Sequence, residues 1–132
     1  LSAINTSKIE KLLTSGLGIR MISAAKRGEL YKEKQFSVGI PVHELYADGE
    51  DILPADDIVI VQGIVDAYFY EDGNIILIDY KTDRADEETL IGRYKAQLVY
   101  YAETLEKLLA HPVTERLLYS FSLDKEVPLK NS

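Results

Sequence analysis

The stretch Gly63-Ile64-Val65-Asp66-Ala67-Tyr68-Phe69-Tyr70-Glu71-Asp72-Gly73-Asn74-Ile75-Ile76-Leu77-Ile78-Asp79-Tyr80-Lys81-Thr82-Asp83 decides how this chain folds. From Ile58 to Tyr70 the residues are β-branched, apolar and aromatic. Glu71 to Asn74 supplies a turn and Ile75 to Thr82 is apolar again, which predicts a β-hairpin. With Asp72-Gly73 as the turn residues, Glu71 opposes Asn74, and counting back pairs Tyr70 with Ile75, Tyr68 with Leu77 and Asp66 with Asp79. A loop from Glu71 to Asn74 keeps the same register, because it is centred on the same point. Period two then puts Lys81 on the face of Asp79. Two carboxylates are expected opposite each other, with an ammonium alongside.

Directly opposed side chains lie about 4.5 to 5.5 Å apart at Cβ, and like charges placed there destabilise a sheet. Three arrangements relieve the pair: a shared proton, which raises one member of a coupled pair; a salt bridge to Lys81; or a divalent cation. Hard carboxylate oxygens that leave positions to water and phosphate suit Mg²⁺ or Mn²⁺. A lysine beside such a site can hold or deprotonate the attacking water, or offset charge on a pentavalent phosphate. The bland alternative is a solvated hairpin face with Lys81 as a surface ion-pair partner, worth at most about 1 kcal/mol.

At 132 residues the chain is long enough for one domain with a core of its own. It lacks a Met at position 1, which leads to the expectation of a piece of something larger. There is no cysteine, which removes disulfides, zinc thiolates and cysteine nucleophiles together. No apolar run approaches the roughly 18 residues of a membrane span, so the expectation is a soluble, cytoplasmic protein. The net charge of −7 disfavours gripping nucleic acid through a broad basic surface.

Ahead of the hairpin, Thr6 or Ser7 is expected to cap a short helix through Leu13, with Ile9, Leu12 and Leu13 on one face. Leu17 to Lys26 reads as a second helix closed by Gly28. Leu30 to Val38 alternates as a strand, with Leu30, Lys32, Lys34, Phe36 and Val38 on one side and Tyr31, Glu33 and Gln35 on the other. Pro41 ends it, and His43 to Asp57 is expected to be an acidic loop broken by Asp48-Gly49 and Pro54.

Behind the hairpin, Asp86, Glu87 and Glu88 suit the start of a helix that is expected to run to about Ala110. Leu90, Tyr94, Leu98, Tyr101, Leu105 and Leu108 form its buried stripe, and Gln97 lies four residues before Tyr101 on that side. Val113 to Leu123 is the next strand, parallel to the second hairpin strand through a right-handed crossover. Val127 to Leu129 is expected to add a short edge. His43, in a loop, and His111, at a helix C-terminus where the dipole favours its charge, are read as uninvolved in chemistry. Most of the tyrosines are read as half-buried sheet and helix residues.

Asp66, twelve intervening residues and Asp79-Tyr80-Lys81 are similar to the PD-(D/E)XK nuclease signature. Ile64-Val65-Asp66, Ile78 to Arg84, and the segment Arg93 to Tyr101 with its Gln97-x-x-x-Tyr101 spacing together resemble the RecB-like branch. Within that branch, residues 17 to 122 look most like the C-terminal nuclease domain of the AddA (RexA) family of helicase-nuclease subunits. Glu33 to Phe36 resembles that family's charged strand.

The resemblance implies an α/β fold with a mixed central sheet flanked by helices, a restriction-endonuclease-like core. Residues 1–28 would be a helical support and 29–132 the nuclease core, in a single domain. It implies that Asp66, Asp79 and the main-chain carbonyl of Tyr80 hold Mg²⁺ or Mn²⁺, that Lys81 is the catalytic lysine, and that Gln97 and Tyr101 line the site. Glu33 is read as structural. The implied activity is metal-dependent, ATP-linked DNA cleavage during double-strand end processing for recombination repair. The implied partners are a DNA single strand, the rest of an AddA-like helicase chain and an AddB-like subunit. The family usually draws a further His or Glu ligand from a helix upstream of this chain's first residue, and no secure match for it stands here. The alternatives are therefore a catalytically incomplete module that docks on a partner subunit or on DNA, and a phosphatase of small phosphoesters.

Overall fold

The structure is a computed structural model that describes residues 6–41 and 58–129, with the backbone alone at 36, 38–41 and 58–62. The expected loop from His43 to Asp57 lies outside the described residues. The chain divides into two compact units, residues 1–34 with 65–132 and residues 35–64. Every site residue named above lies in the first.

In chain order the elements are α1 (Thr6–Thr14), α2 (Gly16–Lys26), β1 (Leu30–Pro41), β2 (Ile58–Glu71), β3 (Asn74–Lys81), α3 (Glu87–Leu109), β4 (Val113–Ser120) and β5 (Lys125–Pro128). The strands form one sheet in the order β1-β2-β3-β4-β5. The β2–β3 hairpin has the expected register: Glu71 faces Asn74, Tyr70 faces Ile75 and Tyr68 faces Leu77. Asp72 and Gly73 carry φ of 52° and 80°, the two left-handed residues of a hairpin turn whose twist matches its strands. β3 and β4 are parallel, Ile78 beside Leu117 and Lys81 beside Ser120, with α3 as the crossover. The mixed α/β sheet flanked by helices is the fold class read from the sequence.

Alternation across β2, β3 and β4 divides the core in two. On one face Ala67, Phe69, Ile76, Ile78, Leu117 and Tyr119 pack against Leu12, Leu17, Met21 and Ala24 of the first two helices. On the other, Leu90 and Leu98 of α3 pack with Leu118, Val127 and Leu129. Ser15 joins α1 to α2, its hydroxyl accepting from Gly18 N–H at 3.0 Å. Gly18 is required there, since a Cβ would collide with the Leu12 carbonyl. Asp86 caps α3 by accepting from Thr89 N–H at 2.8 Å, and Ala110 ends it in the left-handed conformation.

Some sequence expectations need correction. Only Leu12 of the α1 apolar face is buried, while Ile9 and Leu13 are exposed. Leu108 leaves the α3 stripe for solvent, and Ala102 and Thr104 are buried in addition to Leu90, Leu98 and Leu105. β4 stops at Ser120 and β5 opens at Lys125. Glu33 has φ 53°, so strict alternation does not run through β1.

Candidate active site

Asp66 and Asp79 occupy the next position in the β2–β3 register after Ala67–Ile78. Asp79 lies between Ile78, which faces the α1–α2 core, and Tyr80, so its side chain and that of Lys81 share the face covered by α3. The Asp66 Oδ2 accepts a hydrogen bond from the Tyr80 N–H at 2.9 Å. That bond ties the first carboxylate to the backbone of the strand carrying the second. The Tyr80 side chain turns to the opposite face, its ring 5.9 Å from that of Phe121, so its contribution to the site comes from the main chain.

Lys81 Nζ lies 2.8 Å from Asp79 Oδ2 and, on its other side, 4.0 Å from the centroid of the Tyr94 ring. Despite that ion pair, Asp79 Oδ2 is buried and receives no hydrogen bond of good geometry. Burial pushes the Asp79 carboxyl up to about 6; the adjacent Asp66 carboxylate adds to the rise and Lys81 opposes it. For Lys81, burial works against the charge, but Asp79, Tyr94 and Asp66 outweigh it and hold its pKa above the ordinary value. Of the three arrangements weighed from the sequence, the salt bridge is therefore present, and it relieves the carboxylate pair incompletely.

Tyr94 is fixed in turn. Its hydroxyl donates to Asp83 Oδ2 at 2.6 Å, and Arg93 Nη1 donates to the same oxygen at 2.9 Å. The hydrogen bond from Tyr94 first, and that from Arg93, depress the Asp83 pKa, while burial opposes them. Gln97 and Tyr101 follow Tyr94 at helical spacing on α3, with Gln97 Nε2 donating to Tyr101 Oη at 3.2 Å. The structure thus brings together Asp66, Asp79, Tyr80 and Lys81 as one cluster and Gln97 with Tyr101 as another. Glu33 is exposed, and His111 Nδ1 lies 3.0 Å from the Gly73 carbonyl at the hairpin turn. His43 lies outside the described residues.

The sequence reading assigned Tyr94 to a buried stripe and missed its role beneath Lys81. Its partner Asp83 sits across the β3–α3 connection, and no local spacing links the two until α3 docks on the sheet.

Among the described residues, no group of three or more His, Cys, Asp or Glu is arranged to hold a metal ion. Among the described residues, the carboxylates brought together at this site are Asp66 and Asp79.

No family model matches the chain. Curated relatives do: the ATP-dependent helicase/nuclease A-subunit of Lachnoclostridium phytofermentans is 36% identical over 99% of this chain. Those of Clostridium perfringens and Acetivibrio thermocellus are each 39% identical, over 96% and 90% of it. Over the segment it matches, this chain belongs to the family of ATP-dependent helicase/nuclease A-subunits. It spans about a tenth of the length of those relatives, 12% of the first and 10% of the other two. The crystal structure of SSO0001 superposes on this chain with a TM-score of 0.50, covering 88% of this chain and 49% of that one at 18% identity, a likeness of fold. Among the described residues, no helix of the segment is long and apolar enough to cross a membrane.

Proposed function

We propose that this chain hydrolyses DNA phosphodiesters with the help of Mg²⁺, for which Mn²⁺ can substitute, as the nuclease portion of a helicase-nuclease that processes double-strand ends for recombination repair. The observation that carries the proposal is the convergence of Asp66, Asp79 and Lys81 from adjacent strands onto one face. The residues present fit a hard divalent cation. Asp79 offers a buried oxygen 2.8 Å from the Lys81 ammonium, burial and the adjacent Asp66 raise its pKa despite that ion pair, and the Tyr80 main chain adjoins Asp66. Mg²⁺ commonly takes one or two protein carboxylates and leaves the rest of its shell to water and phosphate, so two acids suffice.

When bound, the cation supplies Lewis acidity toward the phosphoryl oxygen and lowers the pKa of a coordinated water. The residues of this chain position the rest. Asp66 and Asp79 fix the site on rigid strands, and Asp66 is itself held by the Tyr80 amide. Lys81, pinned between Asp79 and the Tyr94 ring, presents a cation to the attacking water or to charge developing on phosphorus. Gln97 and Tyr101 line the approach from α3. The substrate is the single strand released by an AddA-like helicase chain, the 3′-terminated strand being favoured, in a complex with an AddB-like subunit.

The rival reading, a nuclease-fold module that docks without cutting, draws on the two-carboxylate acid set among the described residues. Incubation of the chain with linear single-stranded DNA and Mn²⁺, beside Asp79→Ala and Lys81→Ala, separates the readings. Cleavage by the parent chain alone supports hydrolysis. Equal cleavage by all three marks a contaminant, and cleavage by none favours docking.

A further inference from the structure

On the sheet face that carries the carboxylate pair, Tyr68 and Tyr70 follow Asp66 at two-residue steps along β2. Tyr68 is buried in the core and Tyr70 is half-buried. Both also pack with Tyr31 of β1. The Tyr31 and Tyr68 rings stack with centroids 5.0 Å apart and planes 17° apart. Tyr70 stands edge-on to both, at 6.0 Å and 6.1 Å, and His111 closes the far end 5.1 Å from Tyr70. Glu29 O accepts from Tyr70 N–H, and Tyr31 lies against Tyr68, so β1 runs antiparallel to β2 and Tyr31 sits beside Tyr68 at the edge strand.

Burial falls steeply along this row. Tyr68 is 4% exposed, whereas Tyr31 is 44% exposed although a neighbouring ring supports it in a nearly parallel orientation. A flat aromatic ring held from behind and open in front suits stacking on another flat ring. The platform also lies near the acids: Tyr68, against which Tyr31 stacks at 5.0 Å, is two strand residues, about 7 Å, along β2 from Asp66. A chain with a net charge of −7 needs a source of affinity other than phosphate neutralisation, and base stacking is such a source.

We propose that Tyr31, backed by Tyr68 and Tyr70, is a stacking platform for a nucleobase of single-stranded DNA whose backbone passes the Asp66–Asp79 pair. This deepens the nuclease reading and rests on it for the identity of the strand. Because stacking uses the π-face that every base has, the platform is indifferent to sequence.

The test is anisotropy of a fluorescein-labelled oligonucleotide titrated with the 132-residue chain in EDTA, where metal-dependent cutting is suppressed. Tyr31→Ala is expected to weaken binding about tenfold, Tyr31→Phe to stay within about twofold, and Tyr31→Trp to bind as tightly or more tightly. An oligonucleotide made abasic along its length is expected to bind the parent chain and Tyr31→Ala alike. The proposal is overturned if Tyr31→Ala binds the normal strand as well as the parent, if it loses as much affinity for the abasic strand, or if the parent does not bind at all. Thermal melts of all variants identify any that fail to fold, and the Phe and Trp variants keep the comparison intact if Tyr31→Ala does. Base-dependent binding through Tyr31 in a chain that cuts nothing with Mn²⁺ leaves the platform standing and removes the nuclease reading. Cutting that needs Asp79 but ignores Tyr31 in both binding and rate does the reverse.

Discussion

Replacing Asp79 by Asn is expected to change how stability depends on pH. In the folded chain the Asp79 carboxyl titrates near 6, against 3.8 for an unperturbed aspartate, because it is buried beside Asp66. Between those values the folded state holds more protons than the unfolded state, so stability falls as pH rises through the window. About two pKa units at 1.36 kcal/mol each gives a loss on the order of 3 kcal/mol from pH 3.5 to pH 7. Lys81, whose pKa is raised, stays charged throughout that range and does not alter the sign. Asn resembles the protonated acid and has no such titration. In urea melts of metal-free protein, the stability of Asp79→Asn relative to the parent should therefore rise by roughly 3 kcal/mol across the window. Millimolar Mg²⁺ should narrow the gap at pH 7 by stabilising the parent selectively. Parallel pH profiles for the two proteins would show that Asp79 is ionised in the fold without cost, and the reasoning from its burial would fail.

Other perturbations separate the parts of the site from the parts of the scaffold. Tyr94→Leu removes the ring beneath Lys81 and is expected to slow DNA cleavage about tenfold, whereas Tyr94→Phe keeps the ring and most of the rate; equal rates for both would dismiss a positioning role. Phe69→Ala deletes a fully buried ring on the α1–α2 side and should cost about 3 to 5 kcal/mol in denaturant melts, with a smaller loss meaning that the core collapses into the space. Gly73→Ala meets no neighbouring atom, so only its φ of 80° is at stake, and a penalty of about 1 to 2 kcal/mol in the same melts is expected.

The hairpin register was readable because Asp72-Gly73 admits few turn geometries, and a turn fixes every pair behind it. Asp66 and Asp79 could therefore be placed across from each other before any coordinates. The parallel β3–β4 pair was readable for a related reason, since a strand, a helix and a strand can return to one sheet in essentially one way. Leu108 was misjudged because helical spacing reports that a face is apolar and is silent on how far the opposing surface extends, as the α1 face shows, where Leu12 is buried and Ile9 and Leu13 are exposed. Tyr94 was missed because its function depends on α3 docking over Lys81, a contact between elements that local patterns do not encode. The left-handed Glu33 was equally hidden, since glutamate carries no preference for that conformation and nothing around it announces one.

The outermost strand on the α3–β4 side has a further consequence. β5 is four residues long, bears Lys125 and Glu126, and closes on Pro128, which has no amide hydrogen to donate. A foreign strand approaching that rim would find few groups to zip onto and charged side chains in its way. The sheet is guarded along that rim against growing into its neighbours.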